Sequence, residues 1–153
     1  MMHSKIRIEL LDDGDMVEHQ LDGTSLDQIL QSFDQIDWEQ QKVLGFLEEN
    51  QGLFPFFQVE DTQTDRAFGG LFEVYSRHEF NFLAHAELYQ KQQKSYLLGL
   101  LKFKVMPSFD HDNFPFDVFR KCLELFVKGQ DAEIERLFQV EYPSYSYTGI
   151  FDR

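Results

Sequence analysis

Between Phe80 and Tyr89 the chain alternates residue by residue. Phe80, Phe82, Ala84, Ala86 and Leu88 fall on one side, and Asn81, Leu83, His85, Glu87 and Tyr89 on the other. Successive side chains of an extended chain point to opposite faces, so alternation this long specifies a half-buried strand rather than a helix. Leu71–Ser76 reads as a preceding strand. Tyr96–Val105 reads as a following one, with Leu97, Gly99, Leu101, Phe103 and Val105 on one face. The connections Arg77–Glu79 and Gln90–Ser95 are short and polar, which predicts an antiparallel meander. Whatever else the chain forms has to pack against it.

Before the meander, Ile6, Ile8 and Leu10 alternate with Arg7 and Glu9, predicting a strand over Lys5–Leu11. Asp12-Asp13-Gly14-Asp15 is turn chemistry, and Met16–Leu21 returns as a second strand. Ser25 opens a helix to Ile36: Gln28 stands three residues on, as in a capping box, and Leu26, Ile29, Leu30, Phe33 and Ile36 form one stripe. Trp38–Gln51 fits both periods, helix or strand, and the favoured reading is a hairpin from Lys42–Glu48 through the turn Glu49-Asn50-Gln51-Gly52 into the next segment. Leu53–Glu60 reads as extended, with Pro55 pointing to a sheet edge. Asp61–Gly70 and Met106–Asn113 read as loops, with Asp112 or Asn113 capping the next helix.

That second helix is predicted from Pro115 to Lys128, closed by Gly129, with a shorter one over Asp131–Phe138. The aromatic tail Val140–Phe151 is read as a further edge strand. The expectation is a single α+β domain over residues 1–153. It has one antiparallel sheet of about five or six strands with two main helices on one face.

Seventeen Phe supply a bulky core for such a sheet. The single Cys excludes an internal disulfide and fits a reducing compartment. With no apolar run of membrane-spanning length and no signal-peptide pattern near Met1, the expected location is the cytoplasm. The net charge of −13 argues against direct nucleic-acid binding and against anionic membranes, and suits a basic protein partner. That charge is uneven. Residues 1–65 carry fifteen Asp and Glu against Lys5, Arg7 and Lys42, a balance of −12, while residues 66–153 carry twelve acids against eleven bases, a balance of −1.

Catalytic and ligand-binding motifs are weak. Asp12-Asp13-Gly14-Asp15 with Glu18 lacks calcium-loop spacing and is read as a turn. Asp110-His111-Asp112 offers too few converging ligands, and His78 and His85 are expected to face opposite ways. Cys122 lies on the apolar stripe of the second helix and is read as core. No nucleophile elbow, phosphate loop or HExxH is present. The expectation is no enzyme and no cofactor. The back face of the meander, with Tyr75, Leu83, Tyr89, Tyr96, Leu98 and Leu100, is too apolar to be freely wetted. It is either covered by the tail and the N-terminal strands or it is an interaction surface.

Three segments resemble the bacterial toxin-immunity proteins, including those of contact-dependent growth inhibition: the helix end Phe33-Asp34-Gln35-Ile36-Asp37-Trp38, the strand Gly70–Tyr75, and the helix Phe116–Lys128 with Gly129, a short helix and an aromatic strand after it. The resemblance implies a small acidic cytosolic α+β protein that binds and neutralises a cognate toxin. It transfers no binding residue, because such families diverge at the toxin-facing surface. Charge alone nominates three acidic groups for a basic toxin such as a nuclease: Asp12, Asp13, Asp15 and Glu18; Asp34, Asp37 and Glu39; and Glu60, Asp61 and Asp65. Only one is expected to be central. The chain itself is expected to be a monomer or weak homodimer. The alternatives are an acidic nucleic-acid mimic and a non-catalytic protein- or small-molecule-binding module.

Overall fold

The computed structural model describes residues 3–12, 15–23, 25–76, 78–89, 92–96, 101–105 and 107–144, with the backbone alone at 23, 92–96 and 101–105. Its centre is a six-stranded antiparallel sheet in the order β2-β1-β3-β4-β5-β8. The strands are β1 (Ser4–Asp12), β2 (Asp15–Gly23), β3 (Phe56–Asp61), β4 (Ala67–Val74), β5 (Phe80–Glu87) and β8 (Ser108–Phe114). β6 (Gln92–Tyr96) and β7 (Leu101–Val105) form a separate antiparallel pair between β5 and β8. Among the described residues four α-helices accompany the strands: α1 (Leu26–Asp34), α2 (Trp38–Phe46), α3 (Phe116–Val127) and α4 (Asp131–Phe138). No helix of the described residues is long and apolar enough to cross a membrane.

Helices cover one face of this α+β sheet. Phe57, Phe68, Phe72 and Phe82 point towards them and are buried. Phe33 of α1 meets Phe57 edge-on at 5.1 Å, and Phe119 of α3 stacks on Phe82 at 3.8 Å. α3 lies close enough that a Cβ on Gly70 would meet the Phe119 ring at 2.9 Å and the Leu83 carbonyl at 2.7 Å. The core is therefore aromatic, and it uses the face that the alternation of β5 picks out.

α1 follows the sequence reading, with the Ser25 hydroxyl accepting from the Gln28 amide at 3.2 Å. α3 and α4 also fall where periodicity places them. Asp112 and Asn113 do not cap α3, whose N-cap is Pro115.

Further expectations are corrected. Trp38–Gln51 is not a hairpin but α2 and a single 3₁₀ turn, Glu48–Asn50. Asp37 caps α2 by accepting from the Gln40 amide at 3.0 Å. Buried Gln41 then ties the helix to β1, accepting from the Leu11 amide at 2.8 Å and donating to the Leu11 carbonyl at 3.1 Å. A tertiary amide bridge of this kind leaves no local periodicity to read.

The second correction concerns Tyr96–Val105, which is neither continuous nor beside β5. Tyr96 and Leu101 pair across the β6–β7 hairpin, and β5 pairs instead with β8. β8 lies in the stretch read as the loop Met106–Asn113. Its inward positions include His111, so its pattern looks polar. Third, Pro55 does not mark an edge. β3 is central, and Pro55 sits just before it with its carbonyl accepting from the Phe72 amide at 2.7 Å. Fourth, β4 begins at Ala67, inside the stretch read as the loop Asp61–Gly70.

The tail is not a strand over its described part. It turns around the β8 edge, where His111 Nε2 donates to the Val140 carbonyl at 2.7 Å and Asn81 donates to the Pro143 carbonyl at 3.5 Å. The rest of the tail, residues 145–153, lies outside the described residues, as do Leu98, Leu100 and the side chain of Tyr96.

Candidate binding surface

The three acidic groups do not converge, and tertiary contacts sort them. Asp34 is held by Arg120 through two hydrogen bonds, 2.8 and 2.6 Å. That hydrogen bond pulls the Asp34 carboxyl below its ordinary value, against a smaller opposing effect of burial. Asp37 is consumed as the α2 cap, and Glu39 pairs with Lys42 at 2.7 Å. Asp61 is buried, accepts from the Gln63 amide at 3.0 Å and lies 3.7 Å from Arg66.

Arg66 is itself buried. It donates through Nε and Nη2 to Asp131 and through Nη2 to the Phe126 carbonyl, and its guanidinium lies 4.4 Å from the Phe126 ring centroid. Asp131 also accepts from the Tyr89 amide at 2.6 Å. Of the third group, Asp61 thus belongs to a latch joining the β3–β4 turn to the start of α4. Asp65 takes positive φ in that turn, and Glu60 lies half-buried on β3 opposite Lys5.

The first group is different. Asp12 and Asp15 face each other at the end of the β1–β2 hairpin, and Asp13 lies outside the described residues. Asp12, Asp15 and Glu18 are exposed. Asp15 accepts only from the neighbouring Met16 amide, at 2.8 Å, among the described contacts. Glu18 shares Arg7 with Glu9, at 3.6 and 3.2 Å, so one guanidinium stands between two carboxylates. With Asp22 exposed further along β2, this edge of the sheet keeps an excess of negative charge.

The sheet face turned away from the helices is the other feature. Cross-strand register places Phe56, Leu71 and Leu83 in one row, and Gln58, Gly69, His85 and Asp110 in the next. Gly69 forms the floor of a hollow of about 300 Å³ between these rows. A Cβ there would meet the Phe57 carbonyl at 2.5 Å and Gln58 Cα at 2.8 Å, so only glycine fits without moving β3. His85 Nδ1 donates to Asp110 at 2.6 Å, and Asp112 closes the rim. Beyond Gln58 a second groove carries Lys5, Arg7, Gln20, Asp22 and Glu60.

Towards the other end of this face Glu73 and Tyr75 are buried. Burial pushes the Glu73 carboxyl above its ordinary value; the Tyr75 hydrogen bond opposes this and the Asp112 charge adds to it. Burial, then the Glu73 charge, pushes the Tyr75 hydroxyl up to about 12.

His85 and Asp110 each stand out in the sequence only as weak metal-ligand candidates. The β5–β8 register makes them neighbours, and no sequence signal relates them because β8 does not read as a strand. Among the described residues no three His, Cys, Asp or Glu side chains gather to hold a metal ion. Cys122 is fully buried in the aromatic core, and burial pushes its thiol up to about 12, far from a reactive thiolate. Comparison with known proteins finds no matching family model, no similar curated protein and no similar solved structure.

Proposed function

We propose that this chain is an immunity-type protein that binds and neutralises a basic cytotoxic partner, probing it first with the β1–β2 hairpin, and that it catalyses no reaction. The observation that carries this reading is the sorting of its acids. The second nominated group is spent on Arg120, Lys42 and helix capping, and Asp61 of the third lies against Arg66, while Asp12 and Asp15 stay exposed and Glu18 shares one arginine with Glu9. A nuclease site is cationic because its substrate is anionic, so an acidic hairpin on a chain of net charge −13 is steered towards it. A nucleic-acid mimic would need carboxylates spaced along a whole face. Here the row Phe56, Leu71 and Leu83 interrupts them, which favours a protein partner.

The test begins with the gene neighbourhood, where the absence of an encoded basic toxin overturns the reading, and continues with the combined variant Asp12→Lys, Asp15→Lys, Glu18→Lys against the toxin found there. Its association rate at low salt should fall about tenfold or more, the difference should shrink at high salt, and growth protection should weaken. Unchanged association with no salt dependence overturns the reading.

A further inference from the structure

We propose that the hollow over Gly69 is a socket for one arginine side chain presented by the bound protein. The proposal rests on the reading of a basic protein as the partner.

The walls of the hollow differ in kind. On one side Phe56, Leu71 and Leu83 form a continuous half-exposed apolar row across β3, β4 and β5. On the other, Asp110 and Asp112 supply carboxylates, and the His85 ring fixes Asp110 by donating to one of its oxygens. No lysine or arginine is among the described residues lining it. A side chain that satisfies both walls needs an apolar stem and a cationic head.

Arginine fits better than lysine. Its planar guanidinium offers a fork to carboxylates and a weakly hydrated flat face to apolar surface, whereas an ammonium is a strongly hydrated point charge. The protein already holds its own arginines in this way. Arg66 combines the Asp131 carboxylate with the Phe126 ring, and Arg7 combines Glu9 with the Phe56 ring at 5.0 Å.

Size limits the occupant. A hollow of about 300 Å³ on an open sheet face is at the lower limit for small-molecule pockets, which usually enclose most of their ligand. One long side chain enters it with space left for water, its parent backbone lying over the sheet. In the neighbouring groove Lys5 and Arg7 stand against Asp22 and Glu60, so it offers a cation no excess of negative charge. Adding the rise along β1 to the spacing across two to three strands, the hairpin-end acids Asp12 and Asp15 lie roughly 20 Å from Gly69, within reach of the same partner.

The test needs no toxin. The isotope-labelled full chain is titrated with N-acetyl-arginine methylamide, its lysine counterpart and its citrulline counterpart, while backbone amide shifts are followed by NMR. The arginine probe should move the amides of Gly69, Leu83, His85 and Asp110 saturably, with a dissociation constant on the order of 1–10 mM. Lysine should bind at least about threefold more weakly. Citrulline, which keeps the shape without the charge, should not saturate. Asp110→Asn with Asp112→Asn should abolish the arginine response, and Leu83→Phe, which fills the hollow and keeps both carboxylates, should do the same. Saturation by citrulline equal to that of arginine, shifts confined to the β1–β2 hairpin, or no saturable shift overturns the proposal. None of these outcomes bears on the hairpin reading, which is measured by the association rate with the toxin.

Discussion

The two faces of the sheet are made by the same strands, and around the hollow they differ from one residue to the next. In β3, Phe57 is fully buried against α1, while its neighbour Phe56 is half-exposed beside Arg7. In β5, Phe82 stacks on Phe119, while Leu83 lines an open hollow. A side chain on the covered face is surrounded by other side chains, so removing it leaves a cavity that rigid aromatic neighbours cannot close. On the open face water fills whatever is removed. Hydrophobicity alone therefore does not say what a residue is for: Phe82 holds the fold together, while Leu83 is available to a partner.

Neighbouring truncations give the largest test of this contrast. Phe82→Ala should cost about 3–5 kcal/mol in urea denaturation, the range for deleting a buried aromatic side chain. Leu83→Ala should cost under about 1.5 kcal/mol, since only partial burial is lost. Equal losses would mean that the second face is a core too.

Arg66 tests the covered side from its polar corner. Its guanidinium is the shared partner of buried Asp61 and Asp131. Arg66→Met keeps the stem over Phe126 but strands both carboxylates, and should cost about 3 kcal/mol at neutral pH. The same denaturation series on Asp34→Asn, whose pair with Arg120 is part-exposed, should show less than about 1 kcal/mol. A reversal of that order would show that burial does not set the worth of these pairs.

The smallest expected effect belongs to Glu73, the buried acid of the open face. Its carboxyl is raised in the folded protein, so the folded state holds a proton that the unfolded chain has released. The corresponding stability is present below the ordinary glutamate range and is lost as pH rises through the raised value. Glu73→Gln removes that loss. The melting temperature of the variant relative to the parent should therefore be higher at pH 7 than at pH 4. A difference that does not change with pH would mean that Glu73 is solvated like a surface acid.

The strand read over Phe80–Tyr89 is β5, Phe80–Glu87, and its inward face was legible with it, because alternation records burial directly. α1, α3 and α4 were legible because each carries an apolar stripe that needs no partner to be recognised. α2 was not: what holds it is Gln41 on the Leu11 backbone and Trp38 among Phe33, Phe72 and Phe82. β8 was not, because its inward His111 finds its partners only when the tail brings Val140 and Tyr142 to it. Of the candidate surface, the acidic bias of residues 1–65 was visible, but the pairing of His85 with Asp110 required the β5–β8 register.

The sequence by itself determined which stretches alternate, which carry stripes and how much negative charge the N-terminal part holds, since these are properties of neighbours along the chain. Only the tertiary structure decided which of those charges are held by basic residues and which stay exposed. Asp34 lies 86 residues from Arg120, and Arg66 lies 65 residues from Asp131. Separations of that kind leave no mark on local pattern, because an ion pair depends on where two distant side chains are carried and not on what surrounds either one in the chain.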